Sequence, residues 1–407
     1  MNNNILKGRK NIKIEVFGIL LTISIVFFVG KFLLFYTYFI STIDKPHDVP
    51  KWEADVRPIQ SEKQVREQLS KIKQNNKKIK NPFSDAKFIT IPGLRGAWSI
   101  SSKTNKAGFG TDWIPQGVTQ SDKYYFISMY DGDYQYNSII IQINKETGHY
   151  IKTLILNSRA HVGGIYFDMD HKHLLWSDDQ KSGGGISYVT QKDLDKYQAK
   201  VQQAPIKSTR IKWELSSRTS AITFYDHQMI VAKYGKKIKE RSVITVPLDI
   251  NGLPQSITKQ NIITWSKDIK LGSSEYDTFE KFIFLLLNKR VINSYNQAWD
   301  RIQGLAITNT GFTLFSQSNG NSYGKVWAQN VSGDVWSKLK YTEPRKGIKV
   351  INVPKSIEEI SLDSQSQLLT LTFESGAKKY RKHDLLFGSK NFMDRLVIIP
   401  LKVLDIR

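Results

Sequence analysis

Five times along the chain one phrase returns: a polar residue, a small or acidic one, an apolar alternation, a turn, then a second apolar run. The copies open at Gln116-Gly117-Val118, His161-Val162-Gly163-Gly164-Ile165, Thr219-Ser220-Ala221-Ile222, Gln303-Gly304-Leu305-Ala306-Ile307 and Glu358-Glu359-Ile360. Their second runs are Tyr125-Phe126-Ile127-Ser128, Leu174-Leu175-Trp176, Met229-Ile230-Val231, Phe312-Thr313-Leu314-Phe315 and Leu368-Leu369-Thr370-Leu371. A strand pair that recurs every 40 to 60 residues or so cannot bury its faces alone and must stack on its own copies. The pattern predicts an all-β chain folded as a β-propeller, each repeat one four-stranded blade around a central channel.

Gly117, Gly164, Ala221, Gly304 and Glu359 are separated by 47, 57, 83 and 55 residues. The long interval holds an apolar, non-alternating run at about 275–293, which suits an inserted helix. Five blades with this insertion are expected, and a sixth, degenerate blade is the alternative. Third strands are expected at 138–143, 185–189, 243–247 and 325–328, and fourth strands at 150–156, 209–215, 261–265 and 348–353. Phe88-Ile89-Thr90-Ile91 stands alone and should pair with the last blade near 395–399, closing the ring without exposed edges.

Residues 16–40 are dominated by Ile, Leu, Val and Phe, interrupted by small or hydroxylated residues and Lys31. About 20 such residues cross the hydrocarbon of a bilayer as a helix. Lys7, Arg9, Lys10 and Lys13 precede the span, so residues 1–15 are expected as a cytoplasmic basic tail and the remainder outside the cell. A cleavable signal peptide is the competing reading, against which stand the length of the apolar run and the lack of a small-residue cleavage site. Residues 41–86, with Pro46, Pro50, Pro58, Pro82 and the cluster Lys77, Lys78 and Lys80, read as an extracellular stalk, and 87–407 as the propeller. The chain has no cysteine, which removes disulfides, thiolate nucleophiles and Cys-bound metals.

In a propeller the loops entering the inner strands and the loops joining second to third strands share one face. Trp113, Gln116, His161, Arg218, Trp299, Arg301, Gln303 and Glu358 belong to the first set; Asp131, Asp133, Asp178, Asp179, Lys236, Lys237 and Asn321 belong to the second. They should converge on one polar mouth, with the inserted helix over it as a lid. Trp113, Gln116, His161, Arg218, Arg301, Gln303 and Glu358 are the candidate ligand-binding residues. Asp131 and Asp133 alternate as calcium ligands do, yet without the distal Glu of a calcium loop, so no cofactor is expected beyond this weak calcium signal. No G-x-S-x-G, H-E-x-x-H or spaced His cluster is present, so the common hydrolase and zinc chemistries lack their motifs.

The formal net charge is +22, of which +18 lies beyond Ile40. Outside a cell such a field gathers anionic wall polymers, acidic polysaccharide or lipid headgroups. Specific nucleic-acid binding is not expected, because the lysines are scattered and no recognition module is visible. Trp113-Ile114-Pro115-Gln116-Gly117, His161-Val162-Gly163-Gly164 and Arg301-Ile302-Gln303-Gly304 make residues 87–407 resemble the secreted or membrane-anchored β-propellers of Gram-positive bacteria, many without an assigned activity. Lactonase-type propellers hold an axial metal with Glu, Asn and Asp; the matching positions here are Gln, Gly and Ser, with only Glu358 and Glu359 acidic. The resemblance implies a cell-surface binding module for an envelope polymer or a membrane protein, with a metal-dependent propeller hydrolase or lactonase at the same mouth as the alternative.

Overall fold

A computed structural model describes residues 2–75, 79, 81–216, 218–235, 240–269, 274–298, 300–320, 322–330, 349–386 and 391–404. Each recurring phrase forms the two inner strands of an antiparallel four-stranded blade. Blade 1 is Trp113–Gln120, Tyr124–Asp131, Ile139–Asn144 and Tyr150–Ile155. Blade 2 is Ile165–Asp168, His173–Ser177, Gly185–Thr190 and Thr209–Lys212. Blade 3 is Thr219–Tyr225, Gln228–Lys233, Ser242–Pro247 and Ser294–Gln297. Blade 4 is Ile302–Ile307, Phe312–Gln317, Gly324–Asn330 and Lys349–Val353. Blade 5 is Ile357–Asp363, Leu368–Phe373 and Arg395–Pro400, completed by Lys87–Thr90 from the other end of the ring.

That closure pairs Lys87 with Ile398 and Thr90 with Arg395 in antiparallel register. Each blade is flanked by two others, so both faces of its inner strands are covered and runs such as Ile139-Ile140-Ile141 need no polar alternation. Stacked rings seal neighbouring blades: Phe126 lies on Phe167 at 5.6 Å between centroids, and Tyr166 on Phe224 at 4.5 Å.

Two expectations fail. Residues 261–265 are not the outer strand of blade 3 but part of a helix, Lys259–Ser266. Thr258 Oγ1 accepts a hydrogen bond from the Asn261 N–H (3.2 Å) and Asn261 Oδ1 accepts one from the Thr258 N–H (2.9 Å), a reciprocal cap that starts a helix. The expected inserted helix, Glu275–Asn288, follows it, and Ser294–Gln297 then supplies the outer strand. The insertion therefore joins third to outer strand, a connection that emerges on the face opposite the inner-strand entry loops. The helix is no lid for that mouth. It packs Leu286, with Phe282, Ile283 and Leu287, against a cluster of blades 2 and 3 that includes Trp213, Ile244 and Val246.

The second concerns residues 41–86, which are not a free stalk along their described length. Trp52 and Ala54 are buried in the core beside blade 1, and the Gly93 N–H donates to the Asp55 carbonyl at 2.7 Å. The helix Glu62–Ser70, capped by Ser61, buries Val65 and Leu69 against blades 4 and 5, with Ile72 beside them. Burial of such side chains contributes roughly 1.5–3 kcal/mol each. A chain shortened to begin at residue 86 is therefore expected to melt far below one that begins at Thr42, or to fail to fold. Equal melting temperatures by calorimetry would show that the segment only rests on the surface.

The N-terminal helix runs Asn2–Ser41, and Val16–Ser41 is long and apolar enough to cross a membrane. Its apolar side chains from Val16 to Leu34 are exposed; only the last turn meets the propeller, through buried Phe39 and an Arg95 Nη2 bond to the Ser41 carbonyl (2.6 Å).

Candidate functional site

In blades 1, 3, 4 and 5 the inner strand slips register once, between Pro115 and Gly117, Thr219 and Ala221, Ile302 and Gly304, and Ile357 and Ile360. The extra residue of a bulge re-aims its side chain. Gln116, Ser220, Gln303 and Glu358 sit in these bulges, and all four line one axial cavity of about 710 Å3. In blade 2 the inner strand starts later, and Gly163 takes the corresponding place in the wall. Close approach demands the small residue that follows. A Cβ on Gly117 would stand 2.6 Å from Glu359 Oε2, and one on Gly304 would stand 2.8 Å from the Glu359 Cα. The repeated polar-then-small phrase is thus a bulge signal as well as a strand signal.

Glu359, the other residue of the blade 5 bulge, ties the ring across its axis. Its carboxyl group is buried and accepts N–H bonds from Ile165 of blade 2 (3.1 Å) and Ile222 of blade 3 (3.2 Å). Second-strand serines add smaller ties between neighbours: Ser128 Oγ donates to the Val162 carbonyl (2.7 Å) and Ser316 Oγ to the Glu358 carbonyl (2.6 Å).

Above this girdle the wall is polar and mostly neutral. Gln303 Nε2 donates to Glu358 Oε1 at 3.2 Å, and the Tyr130 ring lies 4.3 Å from that of His161. Burial holds the Glu358 carboxyl well above the usual carboxylate range, and the neighbouring Glu374 charge adds to the effect. Burial also raises Glu374, opposed by its hydrogen bonds to Tyr380 and Gln116. The buried Tyr130 and Tyr380 hydroxyls are raised in turn and stay protonated. Dehydration lowers His161 to about 4, an effect moderated by the water its exposed surface meets in the cavity; the imidazole is neutral at pH 7. Ions gather toward blades 2 and 3, where Arg218 Nη1 meets Glu240 Oε2 at 3.0 Å and the Arg218 N–H donates to Asp179 Oδ2 at 2.9 Å. The arrangement can hydrogen-bond hydroxyl groups in its interior, and it sets two carboxyls of unequal environment, Glu358 and Glu374, in one pocket.

Of the residues expected at the mouth, Gln116, His161, Arg218, Gln303 and Glu358 converge on the cavity. Trp113 does not: it is fully buried, and its Nε1 donates to the carbonyls of Gly110 (3.0 Å) and Ala97 (3.3 Å) in the hairpin Ala97–Ile100 and Ala107–Gly110. Arg301 turns aside to Asp300 (2.9 Å) and forms no part of the wall. Asp131 spends its carboxylate on its own loop, accepting N–H bonds from Gln135 (2.8 Å) and Tyr136 (3.0 Å), while Asp133 is exposed. That is turn chemistry, and among the described residues no three His, Asp or Glu side chains group as a metal would require. Lys77, Lys78, Lys80, Lys236, Lys237, Trp299 and Asn321 lie outside the described residues.

Asp179, expected on this face from the second-to-third loop of blade 2, lines the cavity too; Tyr130, Glu240, Glu374 and Tyr380 also line it and were not among the candidates. One signal could have found Glu374. An acidic residue closes or follows the second strand in blades 1, 2 and 5, at Asp131, Asp178 and Glu374. Tyr380 had no such signal, because it stands on a rim helix, Lys378–Leu386, inserted between the second and third strands of blade 5.

No protein-family model matches the chain, and no curated protein matches it in sequence. Among solved structures it is similar to a functionally unknown protein from Desulfotomaculum acetoxidans, 9% identical, over 70% of this chain and 72% of that one, with a TM-score of 0.33. It is similar also to the PQQ-bound aldose sugar dehydrogenase of Streptomyces coelicolor, 9% identical over 76% and 99% with a TM-score of 0.36, and to a protein from Lactobacillus plantarum, 8% identical over 68% and 70% with a TM-score of 0.31. Likenesses this distant carry no activity with them, and the five-bladed propeller rests on the strand pairing of this chain itself.

Proposed function

We propose that the chain is a single-pass cell-surface protein, N-terminus in the cytoplasm, whose propeller binds a hydroxyl-rich unit of a Gram-positive envelope polymer in its axial cavity. The basic residues before the span support that orientation, and the net positive charge beyond it draws anionic polymers to the surface. One observation carries the binding reading: all five blades contribute to a cavity whose wall sets the neutral hydrogen-bonding groups of Gln116, Gln303, Tyr130 and Ser220 beside the carboxyls of Glu358 and Glu374. Such a wall can exchange hydrogen bonds with hydroxyls without stranding a buried charge, and the Tyr130–His161 pair offers a ring surface beside it.

The test is calorimetric titration of wall-polysaccharide fragments into the detergent-solubilised full chain at two salt concentrations. Gln303→Ala is expected to weaken binding about tenfold, the equivalent of one well-made hydrogen bond, at either salt. Binding that disappears with salt and ignores this substitution would reduce the interaction to net charge.

The paired carboxyls favour a second reading, glycoside or ester hydrolysis, which needs one carboxyl protonated and a partner ionised. Turnover of the same fragments that is lost in Glu358→Gln while binding persists would establish it.

A further inference from the structure

The membrane helix and the cavity are joined through one short element. The rim helix Lys378–Leu386 belongs to a second-to-third connection, so it lies on the cavity face, and its Tyr380 lines the cavity. The next residue, Arg381, is fully buried and reaches the end of the N-terminal helix: Nη2 donates to the Thr42 carbonyl (3.4 Å), and Nη1 donates to the carbonyls of Leu94 (3.2 Å) and Gly376. No spacer intervenes. Thr42 is buried directly after the helix, and the Asp44 N–H donates to the Arg95 carbonyl at 3.0 Å.

The exposure of the apolar side chains from Val16 to Leu34 shows that the helix leaves the propeller at this rim and does not run down its flank. Exposed Lys45 and Lys51 follow within ten residues of the helix end, with exposed Asp48 between them, and exposed Lys379 and Lys382 stand on the rim helix. Cations at that place meet the anionic headgroups of a bilayer.

We infer that the propeller sits directly on the bilayer with its axial cavity turned toward the lipid, and that it takes the saccharide headgroup of a membrane-borne glycolipid. The inference rests on the saccharide-binding reading of the cavity given above. The unit of an envelope polymer that reaches this cavity is then the saccharide at its lipid anchor; the opposite face, which carries the helical insertion between third and outer strands of blade 3, is turned outward.

The chain has no cysteine, so single labels are unambiguous. Lys181 lies in the second-to-third connection of blade 2, on the cavity face; Ile250, 92% exposed, lies in the insertion on the opposite face. Fluorophores on Lys181→Cys and Ile250→Cys of the full chain, in phosphatidylcholine–phosphatidylglycerol vesicles with a headgroup-attached quencher, read the distance of each face from the bilayer. Quenching at 181 is expected to exceed that at 250 at least fivefold; equal or reversed quenching overturns the placement.

Native mass spectrometry of the full chain from nanodiscs holding diglucosyl-diacylglycerol and phosphatidylglycerol reads the ligand. The glycolipid should be retained at least tenfold over phosphatidylglycerol, and Gln303→Ala should abolish that preference. Binding of the free disaccharide without retention of the glycolipid would overturn the membrane-borne ligand and leave the cavity reading intact. Failure of both would sink the cavity reading itself.

Discussion

Replacing Glu359 with alanine is expected to cost about 3–9 kcal/mol, at 1–3 kcal/mol for each of three buried N–H groups left without an acceptor. Ile165 and Ile222 lose their carboxyl acceptor outright, and the Val118 N–H loses it as well. The loss is a large share of the roughly 5–15 kcal/mol that holds a domain together, so urea unfolding followed by tryptophan fluorescence should show a midpoint far below that of the native chain. Glu359→Gln keeps one carbonyl acceptor and should fall between. A loss under about 1 kcal/mol for the alanine variant would mean that the blades hold one another without this axial tie.

The same residue and its neighbour set a pH dependence. Burial raises Glu358 and Glu359 well above the ordinary value of 4.5 in the folded protein. Above pH 4.5 the unfolded chain gives up these protons while the folded chain keeps them, so the unfolded state is favoured by every further rise until the folded groups ionise. The stability contributed by the two protonated carboxyls is complete below pH 4.5 and declines as pH climbs through the raised folded values. The difference in stability between the native chain and Glu358→Gln should therefore shrink, or change sign, from pH 5 to pH 7. A difference constant over that interval would show that Glu358 titrates alike in both states.

Arg381→Ala is the second substitution with a large expected effect. The guanidinium has no exposed surface and binds carbonyls from three separate segments, Thr42, Leu94 and Gly376. Burial lowers its pKa to about 10, still charged at neutral pH, and Asp112 and Asp394 oppose that lowering. Its removal leaves three buried carbonyls without their donor, at about 1–3 kcal/mol each. The damage should concentrate where the rim helix, the end of the N-terminal helix and Tyr380 meet. Limited proteolysis is therefore expected to cut near Lys378 and Lys382 in the variant and to leave these sites intact in the native chain. Stability lost uniformly, with no new cleavage there, would mean that Arg381 serves the core at large.

Much of this was legible because a propeller writes its rule five times. The phrase that announced each inner strand also marked the bulge, so Gln116, Gln303 and Glu358 could be named as cavity residues before any fold was known. Trp113 could not be told apart from them: it shares their loop, but the hairpin that buries it lies upstream at Ala97–Ile100 and Ala107–Gly110, and that pairing has no periodic signal. Asn261 was misplaced for a related reason. The segment's apolar residues suit a strand or a helix over so few positions, and the Thr258–Asn261 cap settles the matter locally.

The stalk was misread on composition. Val65, Leu69 and Ile72 lie in a stretch rich in Lys and Gln, and only their three- and four-residue spacing records that one side of it is buried.

The sequence by itself determined the repeat, the strand order within four of the blades, the closing strand and the apolar span, since each is a local pattern of period 2, period 3.6 or sheer length. The tertiary structure alone decided which face the blade 3 insertion takes, that Glu359 bridges three blades, and that Arg381 clamps the span beside the cavity. The first depends on a strand pairing across the whole insertion, Ser242 with Gln297, and the other two on contacts between residues more than a hundred positions apart; the free energy of such a contact leaves no period in the chain that makes it.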